Sequence, residues 1–334
     1  VVVVRALPGL GDLLCAVPAL RALRAALPGA RVTLVGLPWA RVLVRRFRRY
    51  LDELDEFPGW PGIPERAPGA DLLAFVAWMQ GRRFDVAIQM HGDGRASLPF
   101  TRALGAARSV GFVPSEAEAS ADLLAYPRHL PEPERHLALM RHLGVPADDA
   151  ALEFPVHEED RRRLRGLAAD ERLDNWPYAC LHAGAAVPSR RWPLERFARV
   201  GDDLAERGLR VVLTGTAGEA PLTRAVREEM RAPAVDLAGR TDLGVLAALL
   251  EGARLVVCND TGVSHLAAAA GAPSVVVFSA SDPGRWAPAP ERRHRIVRGQ
   301  AAGRDLDPGE PVTGEPASVE MVLAEADDLL AEAS

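Results

Sequence analysis

The sequence predicts an α/β protein built as two successive units, each with a mainly parallel sheet. Two observations carry this. Along the 334 residues, short apolar runs alternate with helix-period patterns, which is how strand–helix–strand units are written. The alternation then gives way to a charge-rich stretch between Pro146 and Pro177, holding one acidic–basic helix at 158–167, and restarts beyond it. A chain of this length can bury two cores. We therefore expect a first domain at 1–160, a second at 161–315 and a closing segment at 316–334.

In the first half, the valine run places a strand at 1–6, a helix follows at 12–27, and a second strand occupies 31–36. Helical patterns cover 38–49 and 71–80, a buried strand 84–90, and further helical patterns 95–104 and 134–143. The second half repeats the logic. Strands are expected at 178–182, 210–214, 255–258 and 274–278, and helices at 194–207, 219–230, 243–251 and 262–270. An amphipathic helix at 318–333 is expected to fold back onto a domain, assigned here to the N-terminal one. No long internal sequence repeat is visible.

Hydrophobic content of 48% and charged content of 25% are those of a globular chain. A net charge of −5 argues against a general nucleic-acid binder. Cys15, Cys180 and Cys258 are too few and too scattered for a disulfide framework or a CxxC metal site. No apolar run reaches transmembrane length, so the expected location is cytoplasmic, at most at the inner face of the membrane. All 40 basic residues are Arg, a pattern that codon pressure produces. Its chemical consequence is that a Walker A phosphate loop and lysine Schiff-base chemistry are excluded. Neither a GxSxG elbow nor an HExxH motif is present.

Four segments carry candidate chemistry. After the first strand, Pro8-Gly9-Leu10-Gly11-Asp12 opens a helix, but the third glycine of a dinucleotide fingerprint is replaced by Leu14, and the second strand ends without a ribose-binding acid. Asp12 is then either a helix cap or a carboxylate placed to take a proton from a substrate hydroxyl. His182-Ala183-Gly184-Ala185 through Arg190-Arg191-Trp192-Pro193 joins a close-approach glycine to two guanidinium forks suited to phosphate, with Pro193 in the first helical position. Thr214-Gly215-Thr216-Ala217-Gly218-Glu219 permits a turn whose Glu219 either binds ribose hydroxyls or complements a helix dipole. Val257-Cys258-Asn259-Asp260-Thr261-Gly262-Val263-Ser264-His265 ends a strand and opens a helix with Asp260 expected as its cap; this is an anion site or an ordinary capped turn. Arg41, Arg45, Arg46, Arg48 and Arg49 form either a solvated helix face or a patch for a phosphorylated glycolipid or membrane surface. Asp305-Leu306-Asp307 has a DxD look without a preceding strand and is set aside.

Taken together, these motifs resemble glycosyltransferase family 9, the ADP-heptose:lipopolysaccharide heptosyltransferase family. The likeness rests on Asn259-Asp260-Thr261-Gly262, His265, Ala267-Ala268-Ala269, Gly271, Pro273, Phe278, Trp286 and Pro288, with Gly9-Leu10-Gly11-Asp12, Arg190-Arg191-Trp192-Pro193 and Leu237-Ala238-Gly239-Arg240-Thr241-Asp242-Leu243 in order. The resemblance implies a GT-B fold, two Rossmann-like domains facing across a cleft. It implies Asp12 as the general base of an inverting, metal-independent transfer of a heptose-like sugar from an ADP-sugar to a glycan, glycolipid or small-molecule hydroxyl, as in lipopolysaccharide biosynthesis. Arg190 and the Thr261–His265 helix start would then hold the diphosphate, Asp260 the sugar and Glu219 the ribose. Gly11, Gly184, Ala185, Gly262 and the adenine lead-in at Arg240 and Thr241 would complete the donor site. No cofactor is implied beyond the donor. Where the family commonly has Lys, this chain has Arg190, a fork rather than a point charge. A different donor or a cell-wall or natural-product acceptor, and a non-catalytic nucleotide-sugar binder, remain as alternatives.

Overall fold

The computed structural model describes residues 1–171, 173, 176–289, 292–300, 303 and 313–332. Asp305 and Asp307 of the DxD look-alike lie outside the described residues. The chain divides into two compact units, Val1–Ala150 and Ala151–Ser334.

In the first unit, β1 (Val2–Val4), β2 (Thr33–Gly36), β3 (Glu53–Glu56), β4 (Val86–Gln89), β5 (Arg108–Val113) and β6 (Leu123–Ala125) form one sheet in the order β3-β2-β1-β4-β5-β6. Every pairing is parallel, with Val3 opposite Leu34 on one side and Ile88 on the other. The second unit repeats the plan. Its strands β7 (Tyr178–His182), β8 (Arg210–Leu213), β9 (Ala234–Asp236), β10 (Leu255–Asn259), β11 (Ser274–Phe278) and β12 (His294–Arg298) lie in the order β12-β11-β10-β7-β8-β9, again all parallel. Counted from its own first strand, each sheet has the 3-2-1-4-5-6 order of a dinucleotide-binding Rossmann fold. The topology is duplicated although the sequence shows no repeat.

The central strands are unbroken apolar runs because helices cover both faces of a parallel sheet; β1, β2, β10 and β11 are buried throughout. In the first core, Val2 and Val4 pack with Phe57, Phe84 and Phe100, and Phe57 meets Phe100 edge-on at 5.1 Å. In the second, Trp192 and Phe197 pack edge-on at 5.1 Å among Leu181, Val257 and Val275.

Four differences from the sequence expectation have physical causes. The helix expected at 12–27 is two, Leu10–Leu14 and Val17–Ala26, because Pro18 has no N–H to continue the ladder. The acidic β3 was not expected at all; Arg82 pairs with Glu53 and Asp55, and Arg31 with Glu53, so charge neutralisation lets an acidic segment pair as an edge strand. The helix Glu158–Asp170 packs on the helix Leu243–Glu251 and is tied to it by Arg161, which donates to both Glu251 oxygens at 2.9 and 2.8 Å; it therefore belongs to the second unit, and the boundary falls at Ala150 rather than near residue 160. The closing helix Val319–Glu332 buries Val322, Ala326 and Leu329 in the second core, so it is part of that unit's own structure instead of a strap on the first. Among the described residues, no helix is long and apolar enough to cross a membrane.

His294 sits buried at the start of β12 against the Ser274 hydroxyl, Nδ1 to Oγ 2.9 Å, and burial pushes its imidazole down from 6.5 to about 4. Folded His294 stays neutral between those values while the unfolded chain takes up the proton. The contribution is complete above about pH 6.5 and is lost as pH falls toward 4, by about 3 kcal/mol at most. Urea midpoints measured across this window should fall with pH, and His294→Asn should flatten the slope. A residual slope should remain from His136, also held at about 4 by burial.

Candidate functional site

In a parallel α/β sheet, ligands bind beyond the carboxyl ends of the strands, where the strand order reverses. That point is β1/β4 in the first unit and β7/β10 in the second. Most candidate residues follow the strands at these two places, whereas Glu219 follows β8 and Arg240 and Thr241 follow the edge strand β9.

In the second unit, Asn259 ends β10 fully buried and bridges the switch point. Its Nδ2 donates to the carbonyls of Ala183 at 2.9 Å and Gly184 at 3.3 Å, and its Oδ1 accepts from the Trp192 amide at 2.9 Å. The Trp192 indole in turn donates to the Ala317 carbonyl at 2.9 Å. The loop from Gly184 to Trp192 is thus fixed at both ends.

Asp260 does not cap the following helix. Its own N–H still belongs to the sheet, donating to Val277 at 3.1 Å, and its buried carboxylate accepts from Arg190 Nη1 at 3.1 Å. Thr261 takes the cap position in extended backbone, φ −155° and ψ 174°, with no side-chain hydrogen bond to the helix Gly262–Ala269. The Ser264 amide and hydroxyl both donate to the Thr261 carbonyl, at 3.0 and 2.8 Å. A helix start without a side-chain cap presents its first amides, Gly262 and Val263, as donors for an anion. One turn on, buried His265 meets Trp286 edge-on at 6.2 Å.

Gly184 lies against Glu219: a Cβ on Gly184 would sit 2.1 Å from Glu219 Oε1, so a larger residue would displace that carboxylate. Glu219 Oε2 accepts from the Thr216 amide at 2.8 Å and its hydroxyl at 2.9 Å, which fixes the carboxylate over the strand ends. Below, His182 Nδ1 meets Thr214 Oγ1 at 3.0 Å, and burial holds this imidazole below its usual range. Arg191 donates to the Ala185 carbonyl at 3.0 Å. Of the two arginines expected to meet phosphate, this one braces its own loop. Gly239, at φ +74°, lets the loop after β9 fold under the loop after β8, where its N–H donates to the Gly215 carbonyl at 2.9 Å. Arg240 is turned to Glu171, and Thr241 precedes Asp242, which caps the helix Leu243–Glu251 through the amides of Gly244 and Val245, both at 3.0 Å.

In the first unit, Asp12 stands half-buried in the first turn of the helix Leu10–Leu14, behind extended Gly9. A Cβ at Gly9 would lie 2.2 Å from Asp12 Oδ2, so the carboxylate folds back over the glycine. Buried Gly11 accepts the Cys15 amide at 2.9 Å. His91, just beyond β4, accepts the Ala6 amide on Nδ1 at 3.1 Å, and its Nε2 is 3.5 Å from Glu65.

Residues 73–309 match the profile of glycosyltransferase family 9 (heptosyltransferase). The chain belongs to this family. It is similar to the lipooligosaccharide heptosyltransferase 2 of Haemophilus influenzae, 32% identical over 115 residues, a stretch that spans 33% of this chain and 33% of that relative. Among solved structures it is similar to the family 9 glycosyl transferase of Veillonella parvula, with a TM-score of 0.79 and 22% identity over 99% of this chain and 97% of that one. The ADP-heptose lps heptosyltransferase II of E. coli gives 0.73 and 20% over 99% of each chain. These likenesses bear out the GT-B fold.

Sequence reasoning missed four contributors. Asn259 falls inside a motif, but nothing in the sequence marks it as the bridge. His91 and Glu65 carry no motif and come together only through the strand order. His182 was visible as the last residue of a strand, the one signal that marked it. Asn259→Asp tests the bridge. A carboxylate cannot donate to Ala183 and Gly184, so both carbonyls lose a partner and a charge is buried. The expected loss is about 2–5 kcal/mol by chemical denaturation, with the Trp192 fluorescence changing first.

Proposed function

We propose that this family 9 protein transfers a heptose-like sugar from an ADP-sugar to a hydroxyl of a glycan or glycolipid, with inversion and without a metal. The observation that carries the reading is the edge formed by β7 and β10. It sets an uncapped helix start and the Arg190 fork, donors for a diphosphate, beside the Glu219 carboxylate, an acceptor for ribose hydroxyls. Arg190 and the Gly262 and Val263 amides neutralise the diphosphate. Asp260 holds sugar hydroxyls and orients Arg190, and Glu219 takes the ribose. Arg240 and Thr241, beside Gly239, flank the base.

Asp12 is the general base. Its carboxylate removes the acceptor hydroxyl proton, and the oxygen attacks the anomeric carbon from the face opposite the leaving group. The bond from that carbon to the phosphate oxygen breaks, and ADP departs with the electron pair. Charge building on ADP is met by donors already in place, which lowers the barrier without reorganisation. The first experiment pairs Asp12→Asn with nucleotide binding. Turnover should fall by about 10³-fold or more while ADP binding stays within about twofold. Thermal shift should favour ADP over UDP and GDP. Substantial turnover by Asp12→Asn would remove the base assignment, and a UDP or GDP preference would change the donor.

A glycolipid acceptor fits the surface of the first unit. Arg41, Arg45, Arg48 and Arg49 are exposed beside Val42, and the apolar helix Leu72–Gly81 exposes Leu73 at 83% and Trp78 at 51%. The Arg82 guanidinium lies 5.2 Å from the Trp78 ring but is paired with Glu53 and Asp55, so the cations offered to an anionic surface are the exposed Arg45, Arg48 and Arg49. The protein should co-sediment with vesicles containing anionic lipid and less with neutral ones, and Leu73→Ser with Trp78→Ser should release it. Equal recovery with both vesicle types would argue for a soluble acceptor.

A further inference from the structure

Next to the Asp12 turn lies a group of ionisable side chains that the reaction above does not use. Arg5, Glu132, Arg135 and His136 are 2%, 2%, 3% and 1% exposed. Burying charge costs more than it returns unless the geometry is well satisfied, so such a cluster is weak evidence for stability. What it holds is more telling. Arg5 directly follows β1 and spends its fork on main chain: Nε and Nη2 donate to the Asp12 carbonyl at 2.9 and 2.5 Å, and Nη1 to the Met90 carbonyl at 2.5 Å. One guanidinium thereby clamps the residue that carries the base to the end of β4, across the switch point.

The clamp is itself held. Glu132 Oε1 lies 3.6 Å from Arg5 Nη2, and Glu132 Oε2 accepts from Arg135 Nη1 at 3.1 Å. Arg135 is anchored by the carbonyls of Leu130 and Arg128, both at 2.7 Å, and by the Tyr126 hydroxyl at 3.0 Å. His136 stands 3.6 Å from Glu132, and burial keeps it neutral, at about 4. From the β4 side, His91 faces the same turn with Glu65 behind it. Around Arg5, then, Glu132 faces two guanidinium groups and a neutral imidazole.

We infer that Arg5, supported by Glu132, is the positioning residue for Asp12, fixing the main chain that bears its carboxylate and supplying positive charge beside it. The inference rests on the reading of Asp12 as the base, and it sets two opposite electrostatic expectations. Removing Arg5 withdraws a cation, so the Asp12 carboxylate should ionise at higher pH. Removing the Glu132 charge leaves both guanidinium groups unopposed, so Asp12 should ionise at lower pH.

The test is a carbon-13 NMR titration of the Asp12 carboxyl in the full chain, joined to pH–rate profiles of transfer, for Arg5→Met, Arg5→Lys, Glu132→Gln and Asp12→Asn. Arg5→Met should raise the titration midpoint and the acid limb of kcat by roughly one pH unit, with kcat down by about 10²-fold and donor KM within about twofold. Glu132→Gln should move the midpoint the other way, and Arg5→Lys, which keeps the charge, should restore the midpoint and much of the rate. A purely structural role would lower stability in all three without opposite midpoint shifts. Midpoints that stay put or move together in Arg5→Met and Glu132→Gln overturn the proposal. If Arg5→Met does not fold, Arg5→Lys and Glu132→Gln decide it on the same terms: a Glu132→Gln midpoint that is unmoved or raised overturns it. An active Asp12→Asn, by contrast, removes the base reading while leaving the NMR result to stand for the clamp alone.

Discussion

Because every strand in both sheets runs parallel to its neighbours, every loop that follows a strand leaves its sheet on the same edge. That constraint gathers residues scattered along the sequence. Gly184, Glu219, Gly239 and Asp260 follow four different strands, β7, β8, β9 and β10, and become neighbours only because parallel pairing delivers all four strand ends to one side. The reversal of order at β7/β10 then opens a gap that Asn259 spans. A single buried amide with a donor and an acceptor end can bind two carbonyls and one N–H at once, which neither a carboxylate nor an apolar side chain can do.

What could be read from the residues follows from burial. Strands buried on both faces are apolar runs, so β1, β2, β4, β7, β8, β10 and β11 stood out in the sequence. The sheet margins did not. β3, β6, β9 and β12 are edge strands with one partner each, half-exposed or charged, and their pairing is decided by neighbours distant in sequence. β5 also escaped, since Arg108, Ser109 and Gly111 interrupt its apolar pattern. At the candidate site the motifs fall on turns that follow strands, but individual side chains depart from their expected contacts. Asp260 has the chemistry of a cap, yet a backbone still committed to β11 and a nearby guanidinium claim it, and the cap position passes to Thr261. Arg5 carried no motif because its role lies in three main-chain contacts, one of them 85 residues away.

The all-arginine composition has structural meaning at these points. Arg5 divides its donors between two carbonyls in different segments, and Arg190 offers one Nη to Asp260. An ammonium could supply charge at either place but not that planar spread. At Arg190 the fork binds the Asp260 carboxylate through a single Nη, so the other N–H groups of the same side chain are not needed for that contact.

The charged margin at β3 reaches beyond the site. A sheet edge offers unpaired backbone donors and acceptors to any extended segment, including the same edge of another molecule. Here the edge strand reads Glu-Leu-Asp-Glu, and its acids are bound by Arg31, Arg41 and Arg82. A second copy approaching edge to edge would have to align identical charges and strip these arginines from their partners. The same residues that make the strand hard to recognise therefore disfavour edge-to-edge pairing at β3, the one margin they line.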